Sequence, residues 1–497
     1  MNNNYIKGAV SLTIAMLGIS CQGERDGKPN FLFIIADDHC YNALESLNMD
    51  GLKTPNLDKL RASGTYFSHA FNQGSWVPAI SMASRSMLVT GQNVWNVREY
   101  SENSRTVVSQ TPAKDGEKVV KTYKLNENSY WPQYMKSAGY DTYFAGKWHN
   151  TGIVEQLFDH YRNVRGGMAQ QHKDCYRRNF IEGRADKWQP YDTSFGGYWE
   201  GGTHWSKVLK DDALYYFDQI EKSDKPFFMY LGFNAPHDPR QSPKEYVDMY
   251  PTSEVSVPTN FVPKYEYADQ IGCSQKLRDE RLAPFPRTEY SVKVNRQEYF
   301  ASITYMDKQI GDIVAKLKAS GEFDNTYIIY TADHGLAVGD HGMLGKQNMY
   351  DASLRVPFFI SGPDIPQGKQ IDDLIYLQDA MATIMDLAGS KYMDNVAFKS
   401  VMPLIRGESG RDAVYGGYTT FQRMVRNDKY KMIIYPEAEV IRLYDIQKDP
   451  LEMNDIANEK GNREILSQLY ARFKELQIEM GDTSNYDNLF NEFNLQM

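Results

Sequence analysis

The chain has 497 residues, with 55 Lys and Arg against 64 Asp and Glu, so its formal net charge is −9. A net negative charge argues against nucleic-acid binding that is driven by overall electrostatics. The length is too great for one simple core, and we expect one large domain followed by a smaller one. If the substrate is an anion, its positive partners must be a few local Arg, Lys or His side chains or a metal ion.

The first twenty residues are typical of a bacterial export signal. Lys7 is followed by an apolar run over residues 8–20, which is too short to span a bilayer. Residues 17–21 resemble a lipobox, which predicts cleavage before Cys21 and acylation of its thiol. We therefore expect an exported protein, periplasmic or at the cell surface, that is lipid-anchored at Cys21. A plain secretory signal with an incidental cysteine is the alternative.

Residues 30–36 form a continuous apolar run, as expected for a strand that is buried on both faces. The run ends at Asp37 and Asp38, and two adjacent carboxylates are costly there unless a cation neutralises them. In an open parallel sheet, ligands bind at the carboxyl ends of the strands. The pattern therefore indicates a ligand or cation site at this strand end, with a solvated turn as the alternative.

Ser81 lies near the start of a helix-like run that ends at Gly91. The backbone N–H groups and the dipole at a helix N-terminus favour an anion. Arg85 is four residues further on and so shares a helix face with Ser81. A hydroxyl beside a guanidinium suits a tetrahedral oxyanion such as sulfate or phosphate. An ordinary surface pair is the alternative when this motif stands alone.

Three further segments precede the next candidate site. Residues 54–64 predict a helix with a threonine cap and a terminal glycine. Residues 101–125 are polar and irregular and predict a surface loop, whereas residues 130–139 predict another helix that ends at a glycine.

Residues 140–145 predict a strand that is followed by Lys147 and His149. Because side chains alternate along an extended segment, these two are expected to point the same way. A lysine and a histidine that emerge together suit an anion and its proton transfers. A solvated lysine and a packed histidine are the alternative.

Two later runs, residues 225–233 and 326–332, are also typical of buried strands that end in polar residues. A glycine-rich loop follows the second run and adds one more lysine. The polar residues that these segments supply are His237, Asp333, His334 and Lys346.

Strands and helices alternate through residue 390, which predicts an α/β fold with a large mixed, mostly parallel sheet flanked by helices. Residues 355–362 predict a further strand, and residues 211–221 and 295–320 predict helices. The tail predicts short antiparallel strands and a closing helix at residues 463–477. We expect a signal peptide at residues 1–20, a large domain at 28–400 and a small C-terminal α+β subdomain at 401–497.

Several strand ends and loops thus carry polar groups of one kind, and their order matches one family. The motifs are Asp37-Asp38, Ser81-x-Ala-x-Arg85, Gly146-Lys147-x-His149, Pro236-His237, Asp333-His334-Gly335 and Gly345-Lys346. In this combination the chain resembles the bacterial, serine-type members of the formylglycine-dependent sulfatases, a branch of the alkaline phosphatase superfamily. The resemblance extends from residue 30 to residues 443–452, and it implies an alkaline-phosphatase-like fold for the large domain.

The resemblance also implies a role for each of these residues. Ser81 would be oxidised to formylglycine (3-oxoalanine), whose hydrated aldehyde is the nucleophile, and Arg85 would hold this hydrate. The catalytic and sulfate-binding side chains around it would be Lys147, His149, His237 and Lys346. The ligands of one Ca²⁺ ion would be Asp37, Asp38, Ser81, Asp333 and His334.

The implied reaction is hydrolysis of a sulfate ester. One hydroxyl of the hydrate attacks sulfur, and Asp333 or the metal assists its deprotonation. His237, alone or with Lys346, protonates the departing alcohol. His149 then takes the proton of the second hydroxyl as the aldehyde re-forms, a step that an unmodified serine cannot perform.

Two positions, Ala83 and His334, depart from the commonest form of the family's motifs, and position 81 holds one of its two usual residues. Ala83 stands where proline is common. Serine rather than cysteine at position 81 points to the oxygen-independent route of maturation, with an anaerobic sulfatase-maturating enzyme as the partner. His334 occupies a position that is often asparagine, and because Ca²⁺ prefers oxygen ligands, another divalent metal stays open.

Two alternatives belong to other functional classes. The nearer one is a phosphoesterase of the same superfamily that uses Ser81 without modification. The other is a non-catalytic lipoprotein that binds sulfated glycans. Activity on an aryl sulfate against an aryl phosphate separates the first alternative from a sulfatase.

For a sulfatase with this export signal, the expected substrate is an O-sulfated carbohydrate of host or algal origin. We expect its specificity to come from the loops at residues 95–125, 165–210 and 270–290 and from the subdomain around Gln422, Arg423 and Arg426. The candidate sugar contacts are Arg177, Arg178, His204 and Trp205.

Overall fold

This computed structural model describes residues 27–47, 49–103, 105–111, 120–150 and 152–492. Within these residues, nine strands form the main sheet. The expected export signal at residues 1–20 and Cys21 lie outside the described residues. Strand and helix bounds within them are as follows.

The strands are β1 (Asn30–Asp37), β2 (Thr65–Phe71), β3 (Gly74–Ser75), β4 (Arg105–Thr111), β5 (Val120–Leu125), β6 (Asp141–Lys147), β7 (His160–Arg165), β8 (Trp199–Glu200), β9 (Thr203–His204), β10 (Phe227–Pro236), β11 (Thr326–Ala332), β12 (Arg355–Val356), β13 (Phe358–Ser361), β14 (Lys369–Tyr376), β15 (Val414–Tyr418), β16 (Gln422–Arg426), β17 (Tyr430–Tyr435) and β18 (Val440–Asp445). The helices are α1 (Pro55–Ala62), α2 (Ile80–Thr90), α3 (Val97–Asn103), α4 (Trp131–Ser137), α5 (Val154–Leu157), α6 (Trp205–Ile220), α7 (Lys244–Val247), α8 (Glu289–Ala319), α9 (Asp351–Leu354), α10 (Asp379–Leu387), α11 (Met402–Ile405), α12 (Arg463–Met480) and α13 (Asp487–Glu492).

The main sheet is mixed and mostly parallel, so the predicted α/β fold is confirmed. β1 lies between β10 and β11, and all three run parallel, with β6 and β7 continuing the parallel order beyond β10. On the other side, β13, β12 and β2 pair in antiparallel fashion, and β14 joins β2 in parallel. Because β1, β6, β10 and β11 run the same way, the residues that follow them meet at one edge of the sheet.

The apolar run of β1 is buried along its whole length, as the sequence predicts. On one side of the sheet, the long helix α8 packs against α1, α6 and β10. No helix within the described residues is both long enough and apolar enough to cross a bilayer.

Several segments differ from the expectations, and α8 begins at Glu289, six residues before its expected start. Residues 101–125 contain the hairpin of β4 and β5 instead of an irregular loop. Helix α6 begins at Trp205, six residues before the expected start, because His204 caps it by accepting the Ser206 N–H at its Nδ1. The strand expected at residues 355–362 is split into β12 and β13 by Pro357, which has no N–H to donate to a neighbouring strand.

A second sheet has the order β18-β17-β16-β15-β3. Its four C-terminal strands are antiparallel, as expected for the tail, but β3 comes from the segment just before α2. Gly74 of β3 has a φ of 97°, and a Cβ there would lie 1.8 Å from the carbonyl oxygen of Gly417. This close pairing ties the chain that leads to Ser81 to the C-terminal sheet, so the boundary at residue 400 stays a prediction.

Asp351 at the start of α9 links the two sheets through buried ion pairs. Its carboxylate pairs with Arg355, with Arg426 of β16 and with Lys431 of β17. Burial by itself would raise the pKa of Asp351, but these three cations outweigh burial and hold the pKa below its usual range. The group therefore stabilises the fold at neutral pH, and this contribution is lost as the pH falls below about 4.

We expect Asp351→Asn to lower the free energy of unfolding by about 3 kcal/mol, because the buried Arg426 and the half-buried Arg355 lose their carboxylate and Lys431 keeps only Glu452. Urea unfolding at pH 7 measures the change. The control is Asp312→Asn, which removes one exposed pair with Lys308 and should cost less than about 0.5 kcal/mol. Equal stability of the two variants would contradict the structural role of Asp351.

Candidate active site

Ser81 lies in the first turn of α2, with its side chain buried. Its Oγ donates to Asp37 Oδ1 at 2.9 Å and lies 2.9 Å from His334 Nε2. The helix ends at Gly91, which has a φ of 70° and is in the left-handed conformation, as the sequence predicts. The hydroxyl is therefore held at a helix N-terminus between an acid from β1 and an imidazole from the loop after β11.

Arg85 is one turn further along α2 and is completely buried. Its Nε donates to Asp333 Oδ2 at 2.9 Å, and its Nη1 donates to the carbonyl oxygen of Lys147 at 3.0 Å. The predicted shared helix face with Ser81 thus brings the guanidinium to the ends of β6 and β11. A buried guanidinium that donates two hydrogen bonds to fixed partners is a fixed positive group beside the Ser81 hydroxyl.

Asp37, Asp38, Asp333 and His334 form an acid–histidine cluster at the carboxyl edge of the main sheet. Each offers a ligand atom, and these atoms lie within 4.8 Å of one another. Asp38 has a φ of 70° and donates its backbone N–H to Asp333 Oδ1 at 3.3 Å. Three buried carboxylates and one imidazole at this spacing fit a divalent cation, since carboxylate oxygens are the ligands such ions prefer.

The electrostatics of the acid–histidine cluster favour a cation. Burial, together with the charge of Asp333, raises the pKa of Asp37 to about 6, and burial likewise raises the pKa of Asp38. Burial also opposes ionisation of Asp333, but His334 and Arg85 outweigh it and lower the pKa of that acid. Burial lowers the pKa of His334 to about 3, so its ring is neutral and able to bind a metal at neutral pH.

Two lysines complete the charge balance. Lys147, at the end of β6, pairs with Asp37, and Lys346 Nζ lies 2.8 Å from Asp38 Oδ1. Burial lowers the pKa of Lys147, whereas for Lys346 the nearby Asp38 and Asp279 outweigh burial and raise it. With Arg85, three cations match three carboxylates, so an added divalent ion leaves the site positive and suited to an anionic ester.

His237 follows the end of β10 and reaches the same site. Its Nε2 lies 3.8 Å from Asp38 Oδ2, and its Nδ1 lies 2.7 Å from the carbonyl oxygen of Asp238. Burial and the charges of Lys346 and Lys147 lower its pKa well below the usual value. The contact with Asp238 fixes the orientation of the ring.

The extended segment that the expected alternation of Lys147 and His149 requires ends at Lys147, the last residue of β6. His149 has a φ of 44°, and a Cβ at position 167 would lie 2.9 Å from its Nε2. Burial, followed by the charge of Lys147, lowers the pKa of His149 to about 3. The buried Nδ1 has no hydrogen-bond partner within the described chain, which leaves it available to a ligand.

Four residues that the sequence did not single out lie beside His237. Arg278 Nη2 is 3.3 Å from His237 Nε2 and 3.4 Å from Asp238 Oδ1. Tyr176 donates to the other oxygen of Asp238, and Asp279 pairs with Arg278. Arg278 and Asp279 lie in the loop at residues 270–290 that was expected to govern specificity, but the sequence carries no signal that joins this loop to His237.

The candidate sugar contacts divide into buried and exposed side chains. Arg178 is buried and pairs with Asp186 and Glu298, and both ring nitrogens of His204 are engaged within the protein. These two side chains are engaged within the protein, and their role as sugar contacts stays a prediction. Arg177 is exposed, and Trp205 is half-buried with the guanidinium of Arg165 stacked 4.2 Å from its ring.

The three subdomain residues expected near the substrate are also used internally. Gln422 donates to the carbonyl oxygens of Ile271 and Gln347, and Arg423 pairs with Asp482. Arg426 belongs to the Asp351 network described above. All three side chains are buried and paired within the protein, and their part in specificity stays a prediction.

Comparison with protein families gives this site its class. A family model described as Sulfatase matches residues 29–390, well over half of the chain. A second model, described as N-sulphoglucosamine sulphohydrolase, C-terminal, matches residues 339–479. The chain belongs to the sulfatase family of the alkaline phosphatase superfamily and is a sulfuric ester hydrolase. This finding favours an enzyme over the non-catalytic alternative.

Curated relatives and solved structures agree with the family. An arylsulfatase of Clostridium perfringens is 27% identical over 473 residues, which cover 89% of this chain and 93% of the relative. An N-acetylglucosamine-6-O-sulfatase of Bacteroides thetaiotaomicron is 23% identical over 550 residues, covering 95% and 91%. Each of these names describes the relative alone.

Among solved structures, one holds its substrate D-glucosamine-2-N,6-O-disulfate and is 22% identical, with a TM-score of 0.68 and coverage of 92% and 99%. A phosphonate monoester hydrolase from Silicibacter pomeroyi is 20% identical, with a TM-score of 0.71 and coverage of 92% and 96%. At these identities the likeness shows a shared fold.

We expect Ca²⁺ to stabilise the protein, because a cation held by the acid–histidine cluster binds the folded state. At a Ca²⁺ concentration about one hundred times Kd, the gain is about 2.7 kcal/mol. Thermal unfolding with Ca²⁺ or with excess chelator measures it. Asp333→Asn should abolish the gain, and Asp312→Asn, at an exposed acid, should keep it. A similar gain in both variants would place the ion elsewhere.

Proposed function

We propose that the protein hydrolyses O-sulfate esters of carbohydrates and that Ser81, once converted to formylglycine, carries the nucleophile. The observation that carries the proposal is the position of Ser81 Oγ, 2.9 Å from both Asp37 and His334 at the N-terminus of α2. The oxidation removes two hydrogen atoms from the serine side chain. The hydrated aldehyde supplies two hydroxyl groups at one carbon, so that one can bond to sulfur and the other can lose a proton.

The acid–histidine cluster is the proposed ion site, with the oxygen of residue 81 as a further ligand. Ca²⁺ suits the three carboxylates, and the imidazole of His334 leaves another divalent ion as the alternative. The bound ion supplies positive charge that stabilises the negative charge developing on the ester.

The side chains around residue 81 divide the remaining work. Arg85, fixed by Asp333 and by the end of β6, orients the hydroxyl groups at position 81. Lys147 and Lys346 neutralise the sulfate oxygens of the bound ester.

Two histidines carry the protons. His237, with Lys346, protonates the departing sugar oxygen. Because Nδ1 of His237 donates to the carbonyl oxygen of Asp238 and burial lowers the pKa of the ring, Nε2 first takes up a proton, which the bound anionic ester favours. His149 has a free buried Nδ1 and a depressed pKa, so it is neutral and able to accept a proton from the second hydroxyl.

Sulfated carbohydrate is the substrate class that the relatives support. One relative carries the name N-acetylglucosamine-6-O-sulfatase, and one fold neighbour was solved with a disulfated glucosamine. We infer that this chain also removes sulfate from sugars of host or algal glycans. The proposed partner in biosynthesis is an anaerobic sulfatase-maturating enzyme that oxidises Ser81.

Export and lipid anchoring at Cys21 are part of the same proposal. They rest on the charged start, the short apolar run and the lipobox-like residues 17–21. A periplasmic or cell-surface location would bring the enzyme to polymeric glycans. Metabolic labelling with a fatty acid, lost in Cys21→Ala, tests the anchor.

Hydrolysis of phosphate or phosphonate monoesters is the second candidate. The likeness to a phosphonate monoester hydrolase, with a TM-score of 0.71, favours it. Against a phosphoesterase that uses two metal ions, the other group of potential metal ligands within the described chain shares Asp38 with the acid–histidine cluster and contains His237 and Asp238. Because Arg278 and Tyr176 already engage Asp238, a second ion has no free carboxylate of its own there.

We expect mass spectrometry of protein co-expressed with the maturating enzyme to show residue 81 lighter by two hydrogen atoms. Ser81→Ala should lower kcat on 4-nitrophenyl sulfate by roughly a thousandfold or more, since the nucleophile is lost. The matched control is Ser84→Ala, a buried serine of the same helix that should keep near-normal activity. Full activity of protein with unmodified Ser81 would refute the formylglycine role.

The ester preference gives a further prediction. A sulfate monoester has one negative charge and a phosphate monoester nearly two at neutral pH. A site with one ion cluster and two lysines should therefore favour the singly charged 4-nitrophenyl sulfate over 4-nitrophenyl phosphate by roughly tenfold or more in kcat/KM, and 4-nitrophenyl phenylphosphonate, a monoester with the same single charge as the sulfate, is measured beside them. A higher kcat/KM for either phosphorus ester would favour the second candidate.

A further inference from the structure

A cavity lies beside the active site and is lined by residues of the loop that precedes β8. Its volume is about 340 Å³. Four of its nine lining residues are cationic and two are acidic. The charged residues of this cavity are Arg177, Arg178, Arg184, Lys187, Asp174 and Asp186.

Three of these four cations are exposed and form no ion pair within the described residues. They are Arg177, Arg184 and Lys187. In a chain with a formal net charge of −9, three unpaired cations around one cavity are a local excess of positive charge. The cavity therefore attracts anions while the protein as a whole does not.

Arg178 holds the cavity wall in place. Its Nε lies 2.8 Å from Asp186 Oδ2, and its Nη2 lies 2.8 Å from Glu298 Oε1 on α8. Asp186 is thus paired with a buried arginine that it shares with Glu298, and the three exposed cations of the cavity remain outside this network. Asp174, the other acid of the lining, is 3.7 Å from His172 and outside this pair.

The backbone at Arg177 is held in an unfavourable conformation. Its φ is 55°, in the left-handed region that non-glycine residues rarely adopt, and its N–H donates to the carbonyl oxygen of Arg281 at 2.6 Å. Such outliers persist where the surrounding structure enforces them, and they occur preferentially at ligand-binding sites. The unfavourable backbone conformation thus occurs at an exposed arginine that lines the cavity.

Tyr176 connects this cavity with the catalytic centre. It lines the cavity and donates its hydroxyl to Asp238, whose other carboxylate oxygen lies 3.1 Å from His237 Nδ1. His237 is the proposed donor of a proton to the departing sugar oxygen. The cavity therefore lies on the leaving-group side of the site, where the remainder of a glycan would extend.

We propose that this cavity binds a second anionic group of the glycan, a sulfate or a carboxylate, through Arg177, Arg184 and Lys187. The inference rests on the proposed function, because it takes the bound sugar to have its scissile sulfate at Ser81. The substrate class is then a multiply anionic glycan. A glycan whose only anionic group is the scissile sulfate would leave the cavity cations unpaired.

Binding to unmodified protein tests the inference without any turnover. Isothermal titration calorimetry with three oligosaccharide preparations, dextran sulfate, oligogalacturonate and neutral dextran, distinguishes a sulfate from a carboxylate and from an uncharged sugar. The variant combines Arg177→Gln, Arg184→Gln and Lys187→Gln. The matched control removes three exposed lysines elsewhere through Lys59→Gln, Lys222→Gln and Lys460→Gln.

We expect wild-type protein to bind at least one of the two polyanions and not neutral dextran. The cavity variant should bind that polyanion roughly tenfold more weakly or worse, since three charge-assisted contacts are lost, and the control should stay within about twofold. The difference should shrink as the salt concentration rises. Arg177→Lys with Arg184→Lys retains the charges and should keep most of the affinity.

Equal affinity of the cavity variant and the control, or no binding of either polyanion by wild-type protein, would overturn the inference. Neither result touches the proposed hydrolysis, which is read from the turnover of 4-nitrophenyl sulfate by the modified wild-type enzyme. Conversely, absent turnover combined with cavity-dependent binding would overturn the proposed function and leave an anion-binding cavity.

Discussion

The burial of three carboxylates side by side is the constraint on which the rest of this structure depends. Asp37, Asp38 and Asp333 lie at one sheet edge with almost no solvent exposure, and like charges at such a spacing repel strongly in a medium of low dielectric. The fold brings one cation to each acid, and these cations are Arg85, Lys147 and Lys346. A network balanced in this way is neutral without an ion and positive with one, which suits an anionic ester.

The parallel order of the central strands explains why these groups meet. Asp37 ends β1, and its strand neighbours β10 and β11 end beside it in register. Helix α2 then enters from the next segment of chain and places Ser81 and Arg85 over that edge. Because β3 pairs Gly74 with Gly417, the approach to α2 is also held by the C-terminal sheet. Catalytic geometry and the packing of the two sheets are therefore coupled.

The proposals assign chemistry and specificity to different kinds of residue. The catalytic groups are buried and paired, so their positions are set by the fold. The residues around the adjoining cavity are exposed, and three of its cations have no partner in the described chain. Tyr176 and Asp238 join these two regions through hydrogen bonds. Under the proposed assignment, sequence change at the exposed cavity residues would alter the glycan that is bound without changing the acid–histidine cluster.

The sequence by itself determined the α/β class, because continuous apolar runs and glycine-terminated helices are local patterns. It also determined the family and the candidate ligands, since Asp37, Asp38, Asp333 and His334 each follow a recognisable strand. Only the tertiary structure decided which polar side chains are engaged in ion pairs and hydrogen bonds within the protein. Arg178 and His204 are buried partners, whereas Arg278 lies against His237 from a loop distant in sequence. Burial and pairing depend on contacts between segments far apart in the chain, and no local pattern encodes them.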